Sequence, residues 1–233
     1  MTVHTEPRES PHALSADELL TTTRSVRRRL DLTRPLDLAV VKECVEIALQ
    51  APNGGNTQRW HWLVVTDAAL RAEIGSVYRR AFETRYPPAE ATTGAAPDAA
   101  DALQQDATAR MMTSGRHLAA HLHEVPVLVI PCLQLREGQF PEGSQASLWG
   151  SLLPAAWSYM LAARARGLGT AWTTVHLDAE QEVAGLLGLP PGVRQGALIP
   201  TAHVLGEGFK PAPRKPVDSV LHLNGWTPTR EER

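Results

Sequence analysis

The sequence is poor in cysteine: two in 233 residues, Cys44 and Cys132, far apart and in no paired spacing. That leaves no basis for a disulfide framework, a metal knuckle or a redox pair, and the two thiols read as buried and reduced. Charge of either sign is not in excess. With a formal net charge of -2 there is no global field to draw in nucleic acid or an anionic membrane, so any anion must be bound locally. The longest unbroken apolar run, Val125 to Leu133, is too short to cross a bilayer, and the N-terminal MTVHTEPRESPH has no apolar signal-type core. A cytoplasmic protein with no membrane and no nucleic-acid partner is expected. Several catalytic signatures are missing too. There is no G-x-S-x-G elbow and no Walker loop, and Gly167-Leu168-Gly169-Thr170-Ala171-Trp172 breaks the dinucleotide fingerprint at Trp172.

What is present suits one folded domain. The hydrophobic fraction of 43% and charged fraction of 21% are ordinary for a globular chain of this length. Residues 1–14 read as a flexible arm and 15–233 as a single domain. Ser15 and Glu18 form a capping box for a first short helix, and Asp37 caps a second, whose apolar residues from Val40 to Ala51 recur at helical spacing. Trp60 to Val65 reads as a strand, followed by a helix capped by Asp67. Between Pro87 and Asp101 the composition shifts to Pro, Ala, Thr and Gly, which predicts a mobile lid within 79–122. A strand over Val125–Leu133 and a long helix over Ser147–Arg166 follow, the helix stopped at Gly167. Then come a strand over Leu168–Val175, a helix capped by Asp178 and a strand over Ala197–Leu205.

Four segments could carry chemistry. On a helix, Arg24, Arg27 and Arg28 would share one face, and a multiply charged anion among them would relieve their repulsion. Guanidinium forks grip phosphate oxygens in pairs, and Ser25 adds a donor. A solvated basic face accounts for the same pattern, and Arg29 reads as solvated. The loop Ala51 to Gln58 offers the amides of Asn53, Asn56 and Gln58 beside Gly54 and Gly55, suited to the edge of a flat heterocycle or simply to a turn. Leu168 to Thr174 ends in Trp172, Thr173 and Thr174, which fit an aromatic ligand or a core strand. Pro213-Arg214-Lys215-Pro216 holds two cations between prolines, as a solvated turn or a second basic element. His117 and His121 have metal spacing but lack the intervening glutamate of a zincin. They read as a packed or surface pair, with His123 and Glu124 keeping a metal site open.

Taken in order, TRSVRR, APNGGNTQRWHWLVV, LAARARGLGTAWTT and PRKPVDSVLH resemble the nitroreductase family of FMN-dependent oxidoreductases, from Thr21 to about Trp226. The resemblance implies an α/β fold of the α+β type: a central mixed, mainly antiparallel sheet surrounded by helices, and dimeric. It implies that Arg24, Ser25 and Arg27 bind the FMN phosphate and ribityl chain. Thr23 replaces the family's leading arginine, so Arg28 and Arg214 are expected to share the load. Pro52, Asn53 and Asn56 match the flavin-side loop, with Asn53 in place of serine, and Trp172, Thr173 and Thr174 are expected beside the ring. The long helix, with Trp149 and Trp157, is expected to build a homodimer core in which each site mixes residues of both chains.

The implied activity is an NAD(P)H-dependent, nitroreductase-like one. NADH or NADPH passes hydride to the flavin N5 and leaves, and a small-molecule electron acceptor, a nitroaromatic, quinone or enone, takes its place. Chemistry of this kind belongs to the cofactor and requires no catalytic side chain and no metal. Two other readings stay open: a flavin-sequestering protein with little turnover, and a cofactor-free regulatory domain on the same fold.

Overall fold

A computed structural model of the chain describes residues 14–87 and 99–226, with side chains from 108 onward in the second span. The expected arm at 1–14, apart from Leu14, and most of the expected lid segment at 87–101 lie outside the described residues. Among the described residues six α-helices surround one sheet: α1 (Ala16–Thr22), α2 (Leu38–Ala48), α3 (Ala68–Arg85), α4 (Ala99–His121), α5 (Ala146–Ala165) and α6 (Glu180–Leu187). The strands are β1 (Trp60–Val65), β2 (Val127–Gln134), β3 (Leu168–Thr170), β4 (Val193–Gln195) and β5 (Ile199–His203). They run in the order β1-β2-β5-β3, with β4 also on β2, and every ladder is antiparallel.

β2 explains the architecture. Its residues are buried from Val127 to Leu133, as a strand covered on both faces requires. Alternate side chains enter different cores. Leu128, Ile130 and Cys132 join Ile74, Val77, Tyr78 and Phe82 of α3, Leu118 of α4 and Val183 of α6. Val127 and Val129 join Val41, Cys44 and Ala48 of α2 and Ala156, Tyr159 and Met160 of α5. Both cysteines are free and buried, and burial pushes the Cys44 thiol up to about 11 and that of Cys132 to about 12.

The helix starts follow the capping chemistry. Ser15 and Glu18 complete the capping box, and the Asp37 and Asp67 carboxylates accept the N–H groups of Ala39 and Leu70 at 2.9 and 2.8 Å. Three expectations fail locally. The arginine segment is not helical: α1 ends at Thr22, Thr23 is extended, and Ser25 bridges to β3. Pairing with a strand edge is stronger here than helical periodicity. The strand expected over Leu168–Val175 stops at Thr170, touches Leu198 again through Thr173 and coils into a 3-10 turn at Val175–Ala179. Asp178 does not cap α6. Its carboxylate is taken by the Arg85 guanidinium, and α6 starts without a side-chain cap.

α5 is apolar nearly all round. Leu152, Ala155, Tyr159 and Met160 enter the core, while Gly150, Leu153, Pro154, Trp157, Ser158 and Leu161 form a second, uncharged stripe that is at least partly exposed, Trp157 to 36%. No helix among the described residues is long and apolar enough to cross a membrane.

His176, in the turn before α6, is wholly buried, and neither ring nitrogen has a partner among the described residues. Burial holds its pKa down to about 3. The unfolded chain therefore takes up a proton below about pH 6.5 that the folded chain refuses, and stability falls as pH drops from there toward 3. Between pH 6.5 and 5 the wild type should lose about 2 kcal/mol more than His176→Leu. Urea unfolding at the two pH values measures the difference, and parallel losses in both proteins would refute it.

Candidate functional site

The segment Arg24–Leu30 lies against β3. The Val26 N–H donates to the Thr170 carbonyl at 2.7 Å, and the Trp172 N–H donates to the Ser25 hydroxyl oxygen at 3.0 Å, leaving the serine proton free to be donated elsewhere. Val26 and Leu30 are buried and anchor the segment, while Arg24 and Arg28 are exposed and Arg27 is half-buried. Gly169 makes this seating fit. A Cβ there would stand 2.8 Å from Val204 Cγ2, 3.0 Å from Leu30 Cδ2 and 3.2 Å from Val26 Cγ1.

The electrostatics of the segment are uncompensated. Among the described residues none of Arg24, Arg27 and Arg28 forms an ion pair. Arg27 reaches only the Ser114 hydroxyl, at 3.5 Å. Its pKa is lowered, first by burial, with Tyr78 acting in the opposite sense. A half-buried guanidinium without a carboxylate is costly unless a ligand supplies the counter-charge.

Of the residues expected beside a flat ring, Trp172 is half-buried against the α2–α5 core, and Thr174 is partly exposed at the head of the 3-10 turn. Thr173 is buried, and its hydroxyl bonds the Tyr78 hydroxyl at 2.8 Å. Tyr78 is thus a support for the site that the sequence reading missed. Burial raises its pKa. The Tyr78–Thr173 bond couples α3 to the segment just after β3.

The asparagine loop is a separate structure. The Asn53 side-chain oxygen accepts the Gln58 N–H at 3.0 Å, Asn56 accepts from the Gln58 amide at 3.3 Å, and the Ser151 hydroxyl of α5 accepts the Gly54 N–H at 2.9 Å. Gly55, Asn56 and Gln58 have φ of 61°, 50° and 48°. Pro52, Asn53 and Asn56 line a cavity of about 450 Å³ together with Leu49, Gln50, Ala51 and Gln58. No hydrogen bond among the described residues links this loop to the arginine segment.

Arg29 is not solvated as expected. Its guanidinium donates to the carbonyls of Leu205 (2.7 Å), Gly208 (3.0 Å) and Glu207 (3.2 Å) and lies 4.4 Å over the Phe209 ring, with Arg164 at 4.8 Å from the same ring. This clamp ties the arginine segment to the start of the C-terminal stretch. Arg214, further along, is exposed and among the described residues donates only to the adjacent Pro213 carbonyl, at 3.0 Å. The stretch after it exposes Val217, Val220, Leu221, Leu223 and Trp226. The His117 and His121 rings lie with centroids 4.6 Å apart and planes tilted by 40°, and His121 Nδ1 lies 2.7 Å from Glu124 Oε1. Among the described residues no group of three or more His, Cys, Asp or Glu could hold a metal.

Comparison with known proteins gives a consistent result. The model of the nitroreductase family matches residues 20–203. A 5,6-dimethylbenzimidazole synthase of Rhodospirillum rubrum is 32% identical over 164 residues, 65% of this chain. The match likewise spans 65% of that relative's length, just under two thirds. The crystal structure of oxidised iodotyrosine deiodinase bound to FMN and 3-iodo-L-tyrosine superposes with a TM-score of 0.66 at 24% identity, covering 90% of this chain and 99% of that one. An FMN- and NADPH-dependent nitroreductase from Sphigopyxis sp. strain HMH gives 0.63 at 22%, covering 91% and 100%. At these identities the two structures establish the shared fold.

Replacing Arg29 with Met removes all three carbonyl bonds and the ring contact while keeping an unbranched side chain. Limited proteolysis between Leu205 and Lys210 should accelerate in Arg29→Met, read by mass spectrometry of the fragments. An unchanged cleavage rate would show that the clamp does not hold this turn.

Proposed function

The chain belongs to the nitroreductase family, and we propose that it is an FMN-dependent oxidoreductase that passes hydride from NADH or NADPH to a small electron acceptor such as a nitroaromatic or a quinone. The observation that carries the reading is the unpaired, half-buried Arg27 beside exposed Arg24 on a segment anchored by strand-type bonds. These residues fit the phosphate of FMN: two guanidinium forks, with the free proton of the Ser25 hydroxyl as a third donor. Arg28 stands next in line to substitute for the missing cation at Thr23, and Arg214 would close on the same phosphate from the C-terminal side.

When bound, FMN supplies the reversible hydride chemistry. The protein's tasks are then to hold and orient. Trp172, Thr173 and Thr174 would line the ring's side of the site, with the Tyr78–Thr173 bond fixing this turn. Pro52, Asn53 and Asn56 would complete it from a second copy of the chain. Two features support a homodimer: the uncharged outer stripe of α5, and the exposed apolar side chains of residues 217–226. The similar proteins include a synthase and a deiodinase, so family membership does not identify the acceptor.

Three measurements test this reading. The purified protein should be yellow, with a flavin spectrum that bleaches on anaerobic addition of NADH or NADPH. A colourless protein that FMN does not reconstitute would refute the reading, and a yellow one that neither donor bleaches would leave only flavin storage. Arg24→Ala combined with Arg27→Ala should weaken FMN binding by about two to four powers of ten, at about 1.5–3 kcal/mol per charged contact. Trp157→Glu should yield monomers by sedimentation with loss of FMN, whereas dimers with full flavin would place the interface elsewhere.

A further inference from the structure

A second cavity, of about 500 Å³, lies between the asparagine loop and the loop that follows β2, and is closed by Ser147, Leu148 and Ser151 of α5. Its charged lining is Arg59, Arg136 and Glu137. Arg59 is half-buried and Arg136 exposed. Among the described residues neither guanidinium takes part in a hydrogen bond, an ion pair or a ring contact, and Glu137 pairs with neither. Elsewhere the chain uses its arginines for structure: Arg29, Arg71, Arg79, Arg80, Arg85 and Arg166 each hold a carbonyl or a carboxylate of another element. Among the described residues Arg59 and Arg136 hold no such partner.

The backbone adds an independent mark. Four described non-glycine residues have positive φ, and three of them lie on these two loops: Asn56 at 50°, Gln58 at 48° and Glu137 at 54°. Gln58 and Glu137 directly adjoin Arg59 and Arg136. Left-handed conformations at non-glycine residues are unfavourable, and they gather where a loop is shaped for a ligand. The volume is that of a small-molecule site, and the fork of an arginine matches the oxygens of a carboxylate or a phosphate.

We infer that this cavity is an anion subsite, in which Arg59 and Arg136 select ligands bearing a carboxylate or a phosphate. The inference rests on the function proposed above. Gly54 and Ser151 line the cavity and also brace the asparagine loop, which places the subsite beside the ring that this loop would read. The anion then belongs either to the acceptor, as an aromatic carboxylate, or to the donor, as the extra phosphate that distinguishes NADPH from NADH.

Calorimetric titration of the purified protein with 4-nitrobenzoate, nitrobenzene and the oxidised dinucleotides NADP+ and NAD+, which carry no hydride to transfer, separates these sources. The wild type should bind 4-nitrobenzoate over nitrobenzene, or NADP+ over NAD+, by roughly tenfold or more, the effect of one charge-assisted contact. Arg59→Gln and Arg136→Gln should each reduce that preference and leave nitrobenzene or NAD+ binding unchanged. A gain confined to the nitrobenzoate pair assigns the anion to the acceptor, and one confined to the dinucleotide pair assigns it to the donor. The proposal is overturned if the wild type does not discriminate within either pair, or if discrimination survives both substitutions. Binding needs no turnover. A protein that selects the anion yet never bleaches with NADH or NADPH therefore keeps the subsite and loses only the oxidoreductase reading.

Discussion

The seating of Val26 and Leu30 over Gly169 is the contact on which the candidate site depends. A Cβ at 169 would clash with Val204 at 2.8 Å and press on Leu30 and Val26 at 3.0 and 3.2 Å, so the bare position lets the arginine segment sit this close to β3. Close approach brings the Val26 and Thr170 backbones and the Ser25 hydroxyl and Trp172 N–H into bonding distance. With the segment fixed, the half-buried Arg27 guanidinium is held in place with no ion-pair partner among the described residues. The cost of placing an unpaired guanidinium at the surface of the core is met by apolar burial at Val26 and Leu30, and the counter-charge is left for a ligand to supply.

Much of the fold was legible because its signals are local. The caps at Ser15, Asp37 and Asp67, the aromatic and β-branched content of Trp60–Val65 and the stop at Gly167 all act within a turn or two of themselves. The apolar run at Val125–Leu133 was legible as a strand, though its division between two cores requires both sheet faces to be known. Where the reading failed, a distant partner had intervened. The arginines sit at helical spacing, yet Thr170, 145 positions from Ser25, claims the segment as a strand edge. Asp178 has the chemistry of a cap, but Arg85 from α3 takes its carboxylate.

The site divides in the same way. Arginines 24, 27 and 28, the asparagine loop and the threonines after β3 could be singled out from residue type and order. Their supports could not. Tyr78 bonds Thr173 across 95 positions, Ser151 bonds Gly54 across 97, and Arg29 reaches Leu205 across 176. Nothing near Arg29 in the chain distinguishes it from its three neighbours. Only the carbonyls of the 205–208 turn convert it from a surface cation into a clamp.

β2 divides the molecule into compartments. Leu128, Ile130 and Cys132 face the α3–α4–α6 side, while Val127 and Val129 face α2 and α5. A change in side-chain volume on one side is absorbed by helices that do not pack on the other. The helices flanking the Arg27–Ser114 and Tyr78–Thr173 contacts can therefore drift and repack over evolutionary time without disturbing the α2–α5 layer that carries the asparagine loop. A fold insulated in this way can exchange the chemistry at one wall of its site while inheriting the other unchanged.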